Sequence, residues 1–411
     1  MRLPLVVILA TVALDTMAVG LILPVMPGLI GSVRGLSLAD AALWGGILSA
    51  VFAVSQFACA PALGALSDRF GRRPVLLVSL VVMAADMLVM ALAQAIWLLL
   101  VARIVAGIAA STYATALAYV ADITPEAQRA RSFGLVSAAM GAGVVLGPVA
   151  GGLLGGIDPR APFWAAAVLA AGTAVFAWMA LPESLPLDRR RPFDLRRANP
   201  VGALWAVGRL PGLRPMIAVF ALLQLVGFVY PAVWAFYVEA TLGWTAATIG
   251  ASLALYGTVL ILAQTGLVPL LLARLGEVRT IRAAMLLGVL CLVGYGLADR
   301  AALVWALIPL SAVAALATPV LQGLISRSVG ADRQGEVQGV LGSLAALSMI
   351  LSPLIMTQAF FWGTGPGADI WLPGAPFLVA ASILGVAVLV FVGLVQKAQG
   401  GGSPTQQSDA A

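Results

Sequence analysis

The sequence predicts an all-α integral membrane protein with twelve transmembrane helices arranged in two six-helix bundles. Of its 411 residues, 62% are hydrophobic and only 10% are charged, whereas soluble domains average about 45–50% apolar residues. The mean hydropathy is +1.05. Apolar runs of about 20 residues, the length that crosses a hydrocarbon core, recur along the whole chain. The longest polar stretch has six of these runs on either side.

The first run begins directly after Met1-Arg2 and in this respect is similar to a secretory signal. It continues through Asp15 to Pro24 without a cleavage site, so we assign it as the first span. In order, the predicted spans cover residues 5–30, 42–66, 74–93, 96–120, 132–156, 162–181, 214–238, 248–273, 279–298, 301–326, 336–362 and 373–396.

The basic residues predict the orientation of these spans. With the amino terminus inside, nineteen of the 23 Lys and Arg residues fall on the cytoplasmic side, and only Arg34, Arg160 and Arg300 fall outside. This asymmetry follows the positive-inside rule and predicts that both termini are cytoplasmic. The net charge of +6 therefore indicates orientation and not a nucleic-acid partner. The nineteen are Arg2, Arg69, Arg72, Arg73, Arg129, Arg131, Arg189, Arg190, Arg191, Arg196, Arg197, Arg209, Arg214, Arg274, Arg279, Arg282, Arg327, Arg333 and Lys397.

The chain divides into four predicted regions. An amino-terminal six-helix bundle covers residues 1–181, and a central cytoplasmic loop rich in arginine covers 182–213. A carboxy-terminal six-helix bundle covers 214–396. The polar, Gly- and Ser-rich tail at 397–411 is predicted to be disordered.

The second bundle is predicted to be a duplicate of the first. The pattern Arg69-x-Gly71 recurs as Arg274-x-Gly276, 205 residues later. Similar offsets separate proline residues in corresponding spans, 205 for Pro148 and Pro353 and 207 for Pro24 and Pro231. Duplicated bundles are typical of transporters that work by alternating access, with the binding site between the halves.

The composition excludes most enzyme and metal-centre hypotheses. Histidine is absent, which removes the usual proton carrier near neutral pH and a common zinc ligand. Cys59 and Cys291 lie inside spans, where cysteine acts as a small apolar residue. The chain contains neither a Walker sequence nor an HExxH motif. We therefore expect no enzymatic activity, no metal site and no cofactor.

A charged turn joins the second and third spans. It runs from Gly64 to Pro74 with the pattern G-x-L-x-D-R-x-G-R-R. One interpretation is a basic loop that only maintains orientation. The pattern is narrower than that, and it resembles the helix 2–3 signature of the major facilitator superfamily, which implies a cytoplasmic gate. The predicted gating residues are Gly64, Asp68, Arg69, Gly71, Arg72 and Arg73. Asp122 and Arg129 after span four are further candidates, and a solvated charge pair is the alternative there.

Three charged residues lie inside the spans and away from their ends: Asp15, Asp86 and Arg103. Insertion of a charged side chain at the bilayer centre costs about 2.5–3.5 kcal/mol, so we expect each of these residues to have a structural or functional role. Asp86 lies roughly 18 Å from the inner end of its span and Arg103 roughly 10 Å from the outer end of the next, so they reach nearly the same depth. They predict either a structural ion pair or a carboxylate whose proton affinity depends on Arg103.

Asp15 has no basic residue in its own span. An unpaired carboxylate at mid-depth is largely protonated unless water or a cationic ligand reaches it. We therefore interpret Asp15 as a proton or substrate site in a cavity, with a structural hydrogen bond as the alternative. Gln56 is the polar group expected to join it. Gln224 and Trp234 in span seven are weaker substrate-binding candidates, because Trp near a span end is often an interfacial anchor.

Span five carries glycines at helical spacing. The sequence G-x-x-x-G-P-x-x-G-G predicts a flat face at which helices of the two halves slide, with a local bend at the proline. It resembles the antiporter signature of drug exporters in the major facilitator superfamily. The predicted packing residues are Gly143, Gly147, Pro148, Gly151 and Gly152.

Nearly the whole chain resembles the tetracycline-exporter branch of that superfamily, a group of drug/proton antiporters. The resemblance implies a twelve-helix inner-membrane protein of a bacterium that exchanges protons for tetracycline chelated to a divalent cation. It also implies that Asp15, Asp86 and Arg103 form the proton-coupling set. The segments that carry it are Leu14–Pro27, Gln56, Ser67–Pro74, Asp86, Arg103 with Gly107, Ala121–Asp122, the span-five glycines, Pro182–Ser184, Glu239 with Gly243–Trp244, and Leu321–Gly323.

Two features of that branch are missing from this chain. Where those exporters carry a histidine in span eight and an aspartate in span nine, this chain has Leu260 and Leu292. The alternative is thus a multidrug or metabolite exporter that does not carry tetracycline, and a more remote one is a membrane sensor with a transporter fold. We expect a functional monomer whose partners are protons, lipid and a small hydrophobic substrate, with a divalent cation only as part of that substrate.

Overall fold

The computed structural model describes residues 3–110, 112–190 and 210–400, and within these ranges all regular secondary structure is helical. We number the α-helices α1 Leu3–Ile22, α2 Met26–Arg34, α3 Leu38–Phe70, α4 Arg72–Leu92, α5 Ile96–Ala109, α6 Thr112–Ile123, α7 Arg129–Gly155, α8 Ala161–Ala180, α9 Arg214–Gly227, α10 Val229–Leu242, α11 Ala246–Leu262, α12 Val268–Leu297, α13 Ala301–Ala314, α14 Ala317–Arg327, α15 Gln334–Thr364 and α16 Ala375–Gly400.

Eleven helical segments of the described residues are long and apolar enough to cross a membrane. One of them, Ala246–Leu297, contains 52 residues, which corresponds to roughly 78 Å of helix against a hydrocarbon core of about 30 Å. Its backbone leaves the helical region at Gly276, where φ is 73° and ψ is 171°. The segment therefore contains two crossings, in agreement with the twelve predicted spans.

Several predicted spans consist of two helices. The first is interrupted by the short helix Leu23–Val25, because Pro24 lacks the N–H that would continue the hydrogen-bonding ladder. The fourth is interrupted between α5 and α6. There Ser79 donates a hydrogen bond to the carbonyl of Ala109 (2.8 Å) and Gln56 to that of Ala110 (3.4 Å). Such a break is tolerated at membrane depth because neighbouring side chains satisfy its free carbonyl groups.

The two sets of helices touch at the end of the molecule remote from Gly71. The end of α7 packs on the start of α11, and a Cβ at Gly152 would lie 2.6 Å from the Ala246 carbonyl oxygen. The start of α3 packs on the end of α15 in the same way. A Cβ at Gly46 would lie 3.0 Å from the Pro353 carbonyl oxygen. Glycine is needed at these positions because the backbones approach so closely.

Parts of the predicted loop and tail lie outside the described residues. In the loop predicted at 182–213, residues 191–209 are not described. Helix α16 continues to Gly400, and so includes the first four residues of the predicted tail, while residues 401–411 are not described. The cytoplasmic position of the termini stays a prediction.

Candidate functional site

A central cavity of about 850 Å³ lies between α1, α3, α4, α5, α6 and α15. It extends from the level of Asp15 and Asp86 down to Gly64, Asp68 and Arg72 beside the Gly71 turn. The halves pack together at the opposite end. The cavity is therefore reached from the side of the Gly71 turn.

Asp86 and Arg103 form an ion pair in the wall of this cavity, as their similar depths predict. Their side chains are 4% and 12% exposed, and the Arg103 guanidinium also lies 5.6 Å from the centre of the Phe52 ring. Helix α5 can lie this close to α3 because Gly107 has no side chain. A Cβ at this position would lie 2.5 Å from the Phe52 carbonyl oxygen. Among the described residues, Asp86 Oδ1 and Arg103 Nε have no hydrogen-bond partner. The pair thus keeps unused hydrogen-bonding capacity.

Asp15 lines the same cavity from α1. None of the ion pairs among the described residues includes its carboxylate, and Thr112 supplies a side-chain hydrogen bond to it. Thr112 is the first residue of α6, directly after the break in span four. Gln56 also lines the cavity, and its amide is engaged with the Ala110 carbonyl. The helix break therefore brings its own polar groups to Asp15.

The remaining walls are mostly apolar and aromatic, as in sites for hydrophobic ligands. From the carboxy-terminal half, α15 contributes Gln338, Ser343 and Met349, which the sequence analysis did not select. Thr112, Tyr113 and Phe52 were also missed. No pattern singled these residues out, because small polar and aromatic side chains in a span are usually packing residues.

The Gly71 turn is closed by a carboxylate from a distant segment. Gly71 has φ of +108°, a conformation that only glycine adopts without strain. The backbone N–H groups of Arg72 and Arg73, which begin α4, donate hydrogen bonds to the Glu183 carboxylate at 2.8 and 3.2 Å. A carboxylate at a helix amino terminus also interacts favourably with the helix dipole. Sequence reasoning noted Glu183 only as part of the family resemblance.

The predicted gating residues are only partly brought together. Arg72 forms ion pairs with Asp68 at 2.5 Å and with Asp122 at 3.4 Å. Arg73 points away from them and donates a hydrogen bond to the Trp178 carbonyl at 2.5 Å. Arg69 lies over the ring of Phe70. Arg129 is exposed at the start of α7, and no ion pair among the described residues joins it to Asp122.

The glycines of α7 face two different neighbours. A Cβ at Gly143 would lie 2.5 Å from the Ala13 carbonyl oxygen, and one at Gly147 would lie 2.6 Å from that of Met17. Gly151 likewise approaches Leu21, so the stripe packs on α1 in the same half. Gly152 instead contacts Ala246 and Gly250 of α11 in the other half, and Pro148 contacts both Gly20 of α1 and Gly250 of α11. Of the predicted packing residues, Gly152 and Pro148 therefore reach the other half, whereas Gly143, Gly147 and Gly151 pack within their own half.

Gln224 and Trp234 do not line the central cavity. Trp234 is 4% exposed and donates a hydrogen bond to the Ser252 hydroxyl at 2.9 Å. Its ring lies edge-on to Tyr295, with 5.2 Å between ring centres, within a cluster of buried aromatic rings. Leu260 and Leu292 are also outside the cavity lining.

The comparisons with known proteins agree with this architecture. The family model of the Major Facilitator Superfamily matches residues 8–353. The class C tetracycline resistance protein of Escherichia coli is 43% identical over 381 residues, which cover 92% of this chain and 94% of that protein. The class G tetracycline resistance protein of Vibrio anguillarum is 38% identical, over 93% and 98% of the two chains.

A solved transporter structure matches this chain over nearly its whole length. The crystal structure of the human organic anion transporter MFSD10 is 26% identical, covers 95% of this chain and 99% of that one, and superposes with a TM-score of 0.67. The chain belongs to the Major Facilitator Superfamily, in the branch that contains the tetracycline resistance proteins.

Proposed function

We propose that this chain is a proton-coupled antiporter that exports a tetracycline-like hydrophobic drug by alternating access. Its family makes it a multi-pass membrane transporter and not an enzyme. The observation that carries the proposal is the single large cavity of the described residues in which Asp15 and the Asp86–Arg103 pair face largely apolar walls. The names of the relatives support drug resistance as its role, and we place the protein in the inner membrane of a bacterium.

Proton coupling would use the carboxylates of the cavity. When Asp86 is ionised, Arg103 neutralises it, and a proton that binds Asp86 releases the guanidinium to other partners. Histidine is absent from the chain, so we take the carboxylates of Asp15 and Asp86 as the proton carriers. One proton that moves down a potential of 100 mV supplies about 2.3 kcal/mol, which concentrates a substrate by tens of fold.

The cargo would bind in the same cavity. Asp15 has no ion pair among the described residues, so it is available to a positively charged group on the drug or to a divalent cation that the drug chelates. The apolar walls would hold the drug's rings. No cofactor is needed, and the cavity lies within one chain, which supports a functional monomer.

A specific observation favours a second candidate cargo. Leu260 and Leu292 replace the charged residues of the tetracycline exporters, and the carboxy-terminal wall of the cavity is uncharged. An amphiphile other than tetracycline fits such a wall as well. Growth of an expressing strain across a drug panel, with and without an uncoupler, decides between the two. Protection against tetracycline that the uncoupler removes supports the first candidate; protection only against other amphiphiles supports the second.

The coupling proposal is tested on purified protein and in inverted vesicles. We expect Asp15→Asn, Asp86→Asn and Arg103→Ala to lose substrate-induced proton release and pH-gradient-driven uptake. Asp299→Asn removes an exposed carboxylate outside the cavity and serves as the matched control. If all three cavity variants keep wild-type coupling, this protein is not a carboxylate-based proton antiporter.

The proposed orientation has a separate test. Arg34→Cys and Arg190→Cys, each in a background without Cys59 and Cys291, place single thiols in the predicted outer and central loops. A membrane-impermeant maleimide added to intact cells should label only the first. Labelling of both positions from the same side would contradict the predicted topology.

A further inference from the structure

A second cavity of about 310 Å³ lies at the end of the molecule opposite the mouth of the central cavity. Helix α7 begins on the side of the Gly71 turn and ends at Gly155 on the other side, where this cavity lies. Its lining residues Gly28, Pro159, Gly243 and Thr245 are exposed, so the cavity opens to the surface. Neither the gate nor the proton-coupling residues take part in it.

The walls of this second cavity come from both halves. Val25, Gly155 and Pro159 belong to the first half, and Glu239, Trp244 and Ala246 to the second. It lies beside the closest approach of α7 and α11, at Gly152 and Ala246. Any ligand that fills the cavity therefore contacts both halves on the side where they are closed.

The chemistry of the lining points to an organic cation. Glu239 is the one charged side chain among the described lining residues, and no hydrogen bond or ion pair among the described residues involves its carboxylate. The nearest arginine in sequence to the lining Pro159 is engaged elsewhere, because the Arg160 guanidinium donates to the carbonyls of Ala91 and Ala93. Around Glu239 the lining is apolar, with the buried Trp244 ring supported by Trp305 at 5.1 Å.

Helix ends at the rim do not reverse this charge. The amino end of α11 lies there, but Thr245 accepts a hydrogen bond from the Thr248 N–H. The carboxyl end of α10 lies at the same place, where the Gly243 N–H donates a hydrogen bond to the Glu239 carbonyl. The two helix dipoles present opposite ends and largely offset each other. The volume is at the small end of the range for ligand sites.

We infer that this second cavity binds a small monovalent organic cation with apolar substituents, and that the bound cation holds the two halves closed at this end. Glu239 supplies the charge complementarity, and Trp244 and the prolines supply the apolar contacts. Such a ligand opposes the opening that alternating access requires. It is an inhibitor, and its site is separate from the central cavity.

The binding test uses benzyltrimethylammonium as the probe and purified full-length protein in nanodiscs, with calorimetry as the readout. We expect saturable binding that weakens about tenfold in Glu239→Gln and stays unchanged in Asp299→Asn, which removes an exposed carboxylate that does not line the cavity. Benzenesulfonate, an anion of similar size, should not bind. Gly28→Leu adds a side chain toward Pro159 and should also abolish binding with Glu239 intact, so the test survives if Glu239→Gln fails to fold.

Equal binding to wild type, Glu239→Gln and Gly28→Leu would overturn the site, since the probe would then bind elsewhere, for example at Asp15. The closing role rests on the proposed transport function and has its own readout. Benzyltrimethylammonium should slow substrate exchange in proteoliposomes of wild type but not of Gly28→Leu. Binding without slower exchange would overturn the closing role alone. Failure of drug export in the absence of probe would count against the proposed function and leave the binding result intact.

Discussion

The turns at Gly71 and Gly276 are the same backbone feature in the two halves, 205 residues apart. Both glycines have positive φ, +108° and +73°, and each separates two membrane-crossing helices. The same turn conformation therefore occurs in both halves, as the predicted repeat implies, and a positive φ at this place requires glycine whatever the neighbouring side chains are.

The ion pair that follows each turn is reversed in sign. Arg72 pairs with Asp122 in the first half, and Glu277 pairs with Arg327 in the second, with both positions again 205 residues apart. Either polarity ties the helix start after the turn to the end of the neighbouring span. The two halves therefore share the attachment but not the polarity of the charges that form it.

The two halves differ in the side-chain contacts that stabilise the glycine turn. The Glu183 carboxylate accepts the N–H groups after Gly71, whereas Val388 stands 205 residues after it and cannot do so. The same contrast appears at mid-membrane, where Cys291 and Ile308 stand at the positions that correspond to Asp86 and Arg103. Among the described residues, the ion pair at mid-membrane and the turn held by a carboxylate thus have no counterpart at the corresponding positions of the second half.

The largest expected effect breaks this contrast at mid-membrane. Arg103→Ala leaves the Asp86 carboxylate buried without its partner, and an unpaired buried charge lowers the free energy of unfolding by about 3–5 kcal/mol. We therefore expect the carboxylate to take up a proton and keep it. We expect pH-gradient-driven uptake to fall by about 100-fold. Ile308→Val at the corresponding position should change uptake by less than about twofold. A comparable loss in both variants would remove the functional distinction between the halves.

The two glycine turns should respond unequally to the same substitution. Alanine at either position costs about 1–3 kcal/mol, because a positive φ combined with ψ near 180° is a conformation essentially confined to glycine. At Gly71 the new Cβ would also lie 2.6 Å from Glu183 Cδ, whereas at Gly276 no atom lies within 4 Å. Initial transport rates in proteoliposomes should fall about tenfold for Gly71→Ala and about twofold for Gly276→Ala. Equal transport rates for the two variants would show that the contact between Glu183 and the Gly71 turn does not affect turnover.

A change of Glu183, whose carboxylate holds the Gly71 turn, should have an intermediate effect on the transport rate. Glu183→Gln keeps the size of the side chain but removes the charge from its hydrogen bonds to Arg72 and Arg73, at a cost of about 1–2 kcal/mol. We expect faster hydrogen exchange of these two amides and a several-fold slower turnover with unchanged substrate affinity. Glu126→Gln, at an exposed position beside α7, is the matched control. Weakened affinity with normal amide exchange would indicate a substrate contact instead.

The smallest effect is expected at the reversed ion pair. The Glu277 and Arg327 side chains are 31% and 61% exposed, so the pair contributes about 0.2–1 kcal/mol. Glu277→Arg and Arg327→Glu should each lower the Tm slightly, and the double variant should restore it with the polarity of the first half. If the double variant is no more stable than the singles, the attachment depends on more than charge pairing.

The sequence alone determined the membrane crossings and the depth of the buried charges. A hydrophobic run must be near 20 residues to cross the bilayer, so the spans follow from hydropathy alone. Helical rise converts positions in adjacent spans into depths, which is why the Asp86–Arg103 pair could be predicted. The positive-φ turns of both halves were also marked in the sequence, because the glycines that they require, Gly71 and Gly276, recur at the offset of the predicted repeat.

Only the tertiary structure decided which residues meet across the chain. Glu183 reaches Arg72 over 111 positions, the break at Ala110 brings Thr112 to Asp15, and Trp234 is buried among rings and not in the cavity. The rotation of each helix makes these choices, and spans that are apolar on most faces carry little periodic signal to set it. Packing between glycine-rich faces sets the rotation instead, and that depends on all neighbouring helices at once.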